Sequence, residues 1–200
     1  MEILYKFHNS LYVNLTNKCP CACTFCLRKN MDHVGESSNL WLEREPTVEE
    51  VIDEFKKWNV NEFDEIVFCG FGEPTEAFDV LIKTAEFIKK SYSIPVRINT
   101  NGLGNLVQGK NIVPMMKGLI DSVSISLNNP DPEAYNNLVR SRFGDKSFDA
   151  MISFAKECVK IIPKVTMTTV ATTITKEEEE KCQKICDEIG AFYRIRPYED

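Results

Sequence analysis

The 200-residue sequence contains no run of the roughly 18 apolar residues needed to span a bilayer, which argues against a membrane helix. Its first residues, MEILYKFHNSLYVNLTNKC, lack a cationic segment leading into an apolar one. That absence argues against a signal peptide and for a cytoplasmic protein. A basic surplus is missing as well. The 24 Lys and Arg residues are outnumbered by 30 Asp and Glu, for a net charge of −6. They are scattered among acids, as at Glu54-Phe-Lys56-Lys57, rather than gathered into a stripe. A partner held through nucleic-acid phosphates is therefore not expected. There are no low-complexity tracts or internal repeats, and 43% hydrophobic content suits one domain spanning residues 1–200.

Against this background the chain has eight cysteines. In a reducing compartment these are free thiols or metal ligands rather than a disulfide framework. Cys19, Cys23 and Cys26 follow one another in a C-x3-C-x2-C spacing, with Cys21 between the first two. Thiolates so close in sequence can wrap one face of an iron–sulfur cube, and three ligands for four irons leave one iron open to a cofactor or substrate. Structural zinc prefers four ligands, usually in two separated knuckles. Four cysteines within eight residues would make a strained tetrahedron. Cys182 and Cys186 stand four apart on one helical face with Ile189, the spacing of core thiols, and Cys158 belongs to another apolar helical stripe.

Short β-rich runs alternate with helical patterns. Strands are predicted at 11–16, 65–70, 96–100, 122–127, 165–171 and 192–196. Helices are predicted at 77–91, 114–120, 148–161 and 176–189. A further helix follows the capping box Thr47-Val-Glu-Glu50, and a short one follows Asp131-Pro132. Six such units give a parallel α/β sheet, either a flat doubly wound sheet or an open arc. Periodicity does not choose between them. In either case ligands belong at the carboxyl ends of the strands, where the cysteine loop, Gly70–Glu76, 99–102, 128–130 and Pro197 all fall.

The cysteine spacing, with aromatic Phe25 just before the last cysteine, resembles the signature of the radical S-adenosylmethionine (SAM) superfamily. Gly70-Phe-Gly-Glu-Pro74 is similar to that superfamily's Gly-Gly-Glu-Pro motif, departing from it at Phe71. The stretches from Asn14 to Arg28 and from Ser126 to Pro132 resemble the short radical SAM proteins associated with TatD-family hydrolases. This resemblance covers essentially the whole chain. It implies an open partial TIM barrel, (β/α)6, with a parallel six-stranded sheet and outer helices.

It also implies a [4Fe–4S] cluster on Cys19, Cys23 and Cys26, with SAM chelating the open iron. Reduction would then cleave SAM to a 5′-deoxyadenosyl radical that abstracts hydrogen from an unidentified small molecule or peptide. An electron donor such as flavodoxin or ferredoxin would be required, and a TatD-type hydrolase is a candidate partner. Gly72 and Glu73 match the part of the motif that binds the methionine amine, and Phe25 the aromatic beside the adenine. Ser126 and Asn128 end the fourth expected strand, where relatives hydrogen-bond SAM. Thr100 and Asn101, before Gly102, resemble an element that touches SAM or substrate, although Asn-Gly is also a common turn. On the fifth expected strand either Thr168 or Thr169 faces inward; Thr169 is taken as the contact residue. Arg196 ends the sixth expected strand and could pair with a carboxylate, of SAM or of substrate, or form a surface salt bridge. His33 and Trp41 lie in the long 30–46 segment, either a lid or a staple. A 7-carboxy-7-deazaguanine synthase-like enzyme and a non-enzymatic cysteine-ligated metal or electron-transfer protein are the competing readings.

Overall fold

The structure, a computed structural model, describes residues 1–198; the last two residues of the expected 1–200 domain lie outside the described residues. Seven strands form one sheet in the order of the sequence. They are β1 (Leu4–Phe7), β2 (Ser10–Val13), β3 (Glu65–Phe68), β4 (Val96–Thr100), β5 (Ser122–Ser126), β6 (Lys164–Val170) and β7 (Phe192–Arg196). The β1–β2 pair is an antiparallel hairpin with Leu4 opposite Val13 and Phe7 opposite Ser10. All later pairs are parallel. The expected six-stranded sheet is thus corrected to seven. β1 escapes sequence reading because four residues are too few to register a period.

The strand order settles the choice that periodicity left open. A doubly wound sheet reverses direction at a switch point. This order never reverses, so crossovers of one hand lay their helices on one face. Those helices are α1 (Val48–Phe55), α2 (Phe78–Ser91), α3 (Gly104–Gln108), α4 (Pro132–Val139), α5 (Lys146–Cys158) and α6 (Lys176–Ile189). Their buried faces, including Phe55, Leu81, Tyr135, Phe154 and Cys186, form one core with Leu11, Ile66, Ile98, Ile125 and Met167 of the sheet.

The opposite face is concave. Arg194 on β7 lies within electrostatic reach of Tyr12 on β2, Glu65 on β3 and Arg97 on β4. A flat sheet would hold β2 and β7 about 24 Å apart, given roughly 4.8 Å per strand. The sheet is therefore rolled into an arc.

The expected capping box at Thr47 and Glu50 forms, and a second one joins Thr175 to Glu178 at the start of α6. The helix expected at 114–120 is only a 3-10 turn, Val113–Met116. Gly118, with φ of 75°, takes the chain out of the helical region before a second turn can form.

Candidate functional site

The cysteine loop leaves the carboxyl end of β2 and is pinned from several sides. Ala22 donates to the carbonyls of Val139 and Arg140, Thr24 to that of Leu138, and Arg142 to that of Pro20. These bonds anchor the loop to the end of α4. Cys21 itself forms a β-bridge with Ser141 and is buried in the main core. Cys19, Cys23 and Cys26 are only partly buried. The four thiols are chemically unequal. Hydrogen bonding to Cys19 and Cys23 pushes the Cys21 thiol up. The same bonds draw Cys19 and Cys23 down toward thiolate. Burial raises Cys26. Among the described residues no three His, Cys, Asp or Glu side chains converge on one ion.

The loop after β3 lies directly against this one. Glu73 donates its backbone N–H to the carbonyl of Lys18 at 2.8 Å. Gly72 sits so close that a Cβ there would stand 2.1 Å from the carbonyl oxygen of Thr16. Glu73 is buried, and its side chain faces away from open space. Its Oε1 accepts from the Thr100 hydroxyl at 2.7 Å and from the Thr75 hydroxyl at 2.8 Å, and its Oε2 accepts from the Asn101 N–H at 2.8 Å. Burial nevertheless pushes this carboxyl above its ordinary value. Glu73 therefore ties the end of β4 to the β3 loop, and the Asn101 side-chain amide reaches 3.6 Å from Cys21 Sγ and 3.9 Å from Cys19 Sγ.

Strand parity sorts the remaining predicted residues. Val123 and Ile125 of β5 belong to the helix-side core, so Ser124 and Ser126 face the concavity. Asn128 follows with φ of 61°, a left-handed conformation that asparagine tolerates. It is buried, and its Oδ1 has no hydrogen-bond partner among the described residues. On β6, Val165 and Met167 point to the helices. Thr169 shares their side and bonds to the Tyr193 hydroxyl at 2.6 Å. The inward residue is Thr168, so the choice of Thr169 is corrected. Thr100 likewise shares parity with Val96 and Ile98, and it serves Glu73 rather than the concavity. Arg196, on the inward parity of β7, keeps a buried Nε with no partner. Phe25 is half-buried on the cysteine loop.

Sequence reasoning passed over three features: Arg28, the polar bonds from Asn14, Thr16 and Asn17 to the 30–46 segment, and Tyr135. Arg28 donates to the carbonyls of Asn17 at 3.0 Å and Phe71 at 3.2 Å, bracing the two loops together. Its guanidinium lies 5.9 Å from the centre of the Trp41 ring, which packs edge-on against Phe71 at 5.3 Å. The 30–46 segment is consequently a staple rather than a lid. Asn14 and Asn17 hold the carbonyls of Leu40 and Leu42, and Thr16 bonds to Glu45. His33 is exposed, 2.7 Å from Asp32 and outside the site. The third feature is Tyr135 on α4. It is fully buried within electrostatic reach of Cys21, Cys23 and Glu73, and its hydroxyl is unpartnered among the described residues. None of the three had a local signal, since each depends on contacts between distant segments. Cys158, Cys182 and Cys186 are core thiols, each pushed up to about 12 by burial.

This arrangement can be set beside known proteins. The chain is 27% identical over 188 residues to a probable GTP 3′,8-cyclase of Methanocaldococcus jannaschii, a match covering 93% of this chain and 57% of that protein. Its fold is similar to Streptococcus suis SuiB bound to the precursor peptide SuiA, with TM-score 0.69, 20% identity, and coverage of 98% of this chain and 40% of SuiB. SuiB bound to SAM gives TM-score 0.69 at 19% identity, over 97% of this chain and 40% of that one. The chain thus spans little more than half the length of the curated relative and less than half of SuiB. At these identities the structural likeness speaks for the fold. The model of the radical SAM superfamily, whose members use a [4Fe–4S] cluster and SAM, matches residues 13–189, and the chain belongs to that superfamily.

Proposed function

We propose that this chain is the catalytic domain of a radical SAM enzyme, with Cys19, Cys23 and Cys26 as the three ligands of a [4Fe–4S] cluster. The observation that carries this reading is the division among the loop's thiols. Cys21 is buried and bridged to Ser141, while Cys19, Cys23 and Cys26 stay partly accessible, as ligands of a cluster must. The residues also fit SAM. The unpartnered Oδ1 of Asn128 is a buried acceptor for a hydroxyl or amine, costly to leave unmet. A cluster and SAM held by these residues would supply hydrogen-abstraction chemistry, one electron from the reduced cluster being spent in cleaving SAM to methionine and a 5′-deoxyadenosyl radical.

The protein's own part is positioning. Gly72 lets the β3 loop lie on the cysteine loop, presenting backbone carbonyls that suit an ammonium group. Glu73 acts indirectly, fixing Asn101 and Thr100 so that the mouths of β3 and β4 move as one body. Arg28 holds both loops under the Trp41–Phe71 pair, which keeps water from that side. Ser126 and Asn128 close the far side at the end of β5. Substrate then enters the concavity, and a one-electron donor of the flavodoxin or ferredoxin type serves the cluster. The association with a TatD-type hydrolase rests on sequence resemblance alone.

The test is anaerobic reconstitution with iron and sulfide, followed by reduction in the presence of SAM. Release of 5′-deoxyadenosine is expected, with loss of activity in Cys19→Ala, Cys23→Ala and Cys26→Ala but not in Cys21→Ala. Loss of the cluster in Cys21→Ala with retention in one of the other three would overturn the ligand assignment.

A further inference from the structure

The concave face of the arc is divided in two. On β1 and β2 it is filled: Tyr5, Phe7 and Tyr12 pack with Leu40 and Phe71 of the overlying segments into a second hydrophobic cluster. On β5, β6 and β7 it is largely polar, with Ser124 and Thr168 buried, Ser126 and Arg196 half-buried and Arg194 exposed. In register across these strands, Ser126 stands beside Thr168 and Thr168 beside Arg194, while Arg196 lies one step nearer the carboxyl end, beside Val170. Residues two apart on a strand are about 6.6 Å apart, so the two guanidiniums form a short column leading down from the mouth.

The charges on this face do not balance. Among the described residues Glu65 is the only carboxylate at the inward positions of the strands, and Arg97 already occupies it, with Nε to Oε2 at 3.0 Å and Nη2 to Oε1 at 2.6 Å. Arg97 also donates to Asn99 at 2.5 Å. Arg194 and Arg196 have no hydrogen bond or ion pair among the described residues, and the Nε of Arg196 is buried without an acceptor. The same positive charges repel one another. Burial, then the charges of Arg97 and Arg196, hold the Arg194 guanidinium below its ordinary value. The buried Nε of Arg196 is costly to leave without an acceptor, and the exposed Arg194 beside it adds to a positive potential that attracts a ligand carrying negative charge.

We propose that Arg194 and Arg196 form the binding site for an oxyanion of the substrate, a carboxylate or phosphate group, with the partly exposed Ser126 hydroxyl on the same face as a neutral donor. This deepens the reading of the concavity as the substrate site and rests on it. It also assigns Arg196 to the substrate rather than to SAM. Arg194 continues the column away from the mouth, where Gly72, Asn101 and Asn128 lie, so the pair suits a second molecule better than a cofactor held at the rim.

The experiment uses the anaerobically reconstituted protein at low ionic strength. Inorganic phosphate and succinate are titrated calorimetrically into the wild type, Arg194→Gln, and Arg194→Gln/Arg196→Gln. The electron paramagnetic resonance (EPR) spectrum of the reduced cluster is recorded with and without SAM in each. At least one probe is expected to bind the wild type, and whichever binds tells phosphate from carboxylate. Affinity should fall at least tenfold in the double variant and measurably in Arg194→Gln, whose exposed side chain can be changed without disturbing the fold, while the SAM-dependent spectral change persists. Binding of neither probe by the wild type, or equal binding by the variants, overturns the proposal. So does loss of the SAM response in the double variant with the cluster intact, since the arginines would then serve the cofactor. A wild-type cluster that ignores SAM contradicts the proposed function instead, and the anion titration is read independently of it.

Discussion

Gly72 and Thr16 touch backbone to backbone: a Cβ on residue 72 would lie 2.1 Å from the Thr16 carbonyl oxygen and 2.7 Å from that of Lys18. Neither oxygen belongs to a side chain that can swing aside. Gly72→Ala must therefore push apart the β3 loop and the cysteine loop, at a cost of about 1–3 kcal/mol. Urea unfolding of the cluster-free protein is expected to show that loss, together with impaired cluster assembly. Unchanged stability would mean that the two loops are not in contact.

Burial alone would raise the Glu65 carboxyl, but the hydrogen bonds and charge of Arg97 outweigh it and hold the group below the usual carboxylate range. A depressed acid stabilises the fold above its unfolded value, near 4.3 for glutamate, and that contribution fades as pH falls through the lower folded value. The stability advantage of wild type over Glu65→Gln should thus be full at neutral pH and shrink steadily below about pH 4. A difference independent of pH would show that the pair is not formed.

Phe71 stands where the superfamily motif has its first glycine, and here it fills the cluster formed with Tyr5 and Leu40 and meets Trp41. Phe71→Ala removes that plug at a cost of about 3–5 kcal/mol. Limited proteolysis should then cut within residues 30–46 much faster than in the wild type. Equal cutting rates would show that the segment is held by its polar bonds to Asn14, Thr16 and Asn17 alone.

The hydroxyl of Tyr135 is buried and unpartnered among the described residues. Removing an unpaired buried polar group relieves about 1–3 kcal/mol of desolvation cost. Tyr135→Phe is therefore expected to raise the unfolding midpoint of the cluster-free protein. A fall of similar size would reveal a hydrogen bond that this packing does not contain.

The parts of this molecule that read plainly from sequence are those whose cause is local. The cysteine spacing, the capping box at Thr47 and the β-rich run at Phe192–Arg196 each depend on neighbours within a few residues. The arc itself follows from strand order, which is a long-range property, and β1 is too short to carry a pattern. Parity failed at Thr168 and Thr169 because both are buried, one toward each face, so hydrophobicity cannot rank them. Arg28 sits within the recognised motif, yet its role depends on Phe71 and Trp41 arriving from elsewhere. The asymmetry of the concave wall, aromatic on one side and cationic on the other, emerges only once the register is known.

The most direct test of the whole account is the EPR spectrum of the dithionite-reduced, anaerobically reconstituted protein. A [4Fe–4S] signal whose shape changes on addition of SAM, and which disappears in Cys19→Ala, Cys23→Ala and Cys26→Ala, is the expected result. A protein that assembles no cubane cluster, or one whose spectrum is identical with and without SAM, would contradict it.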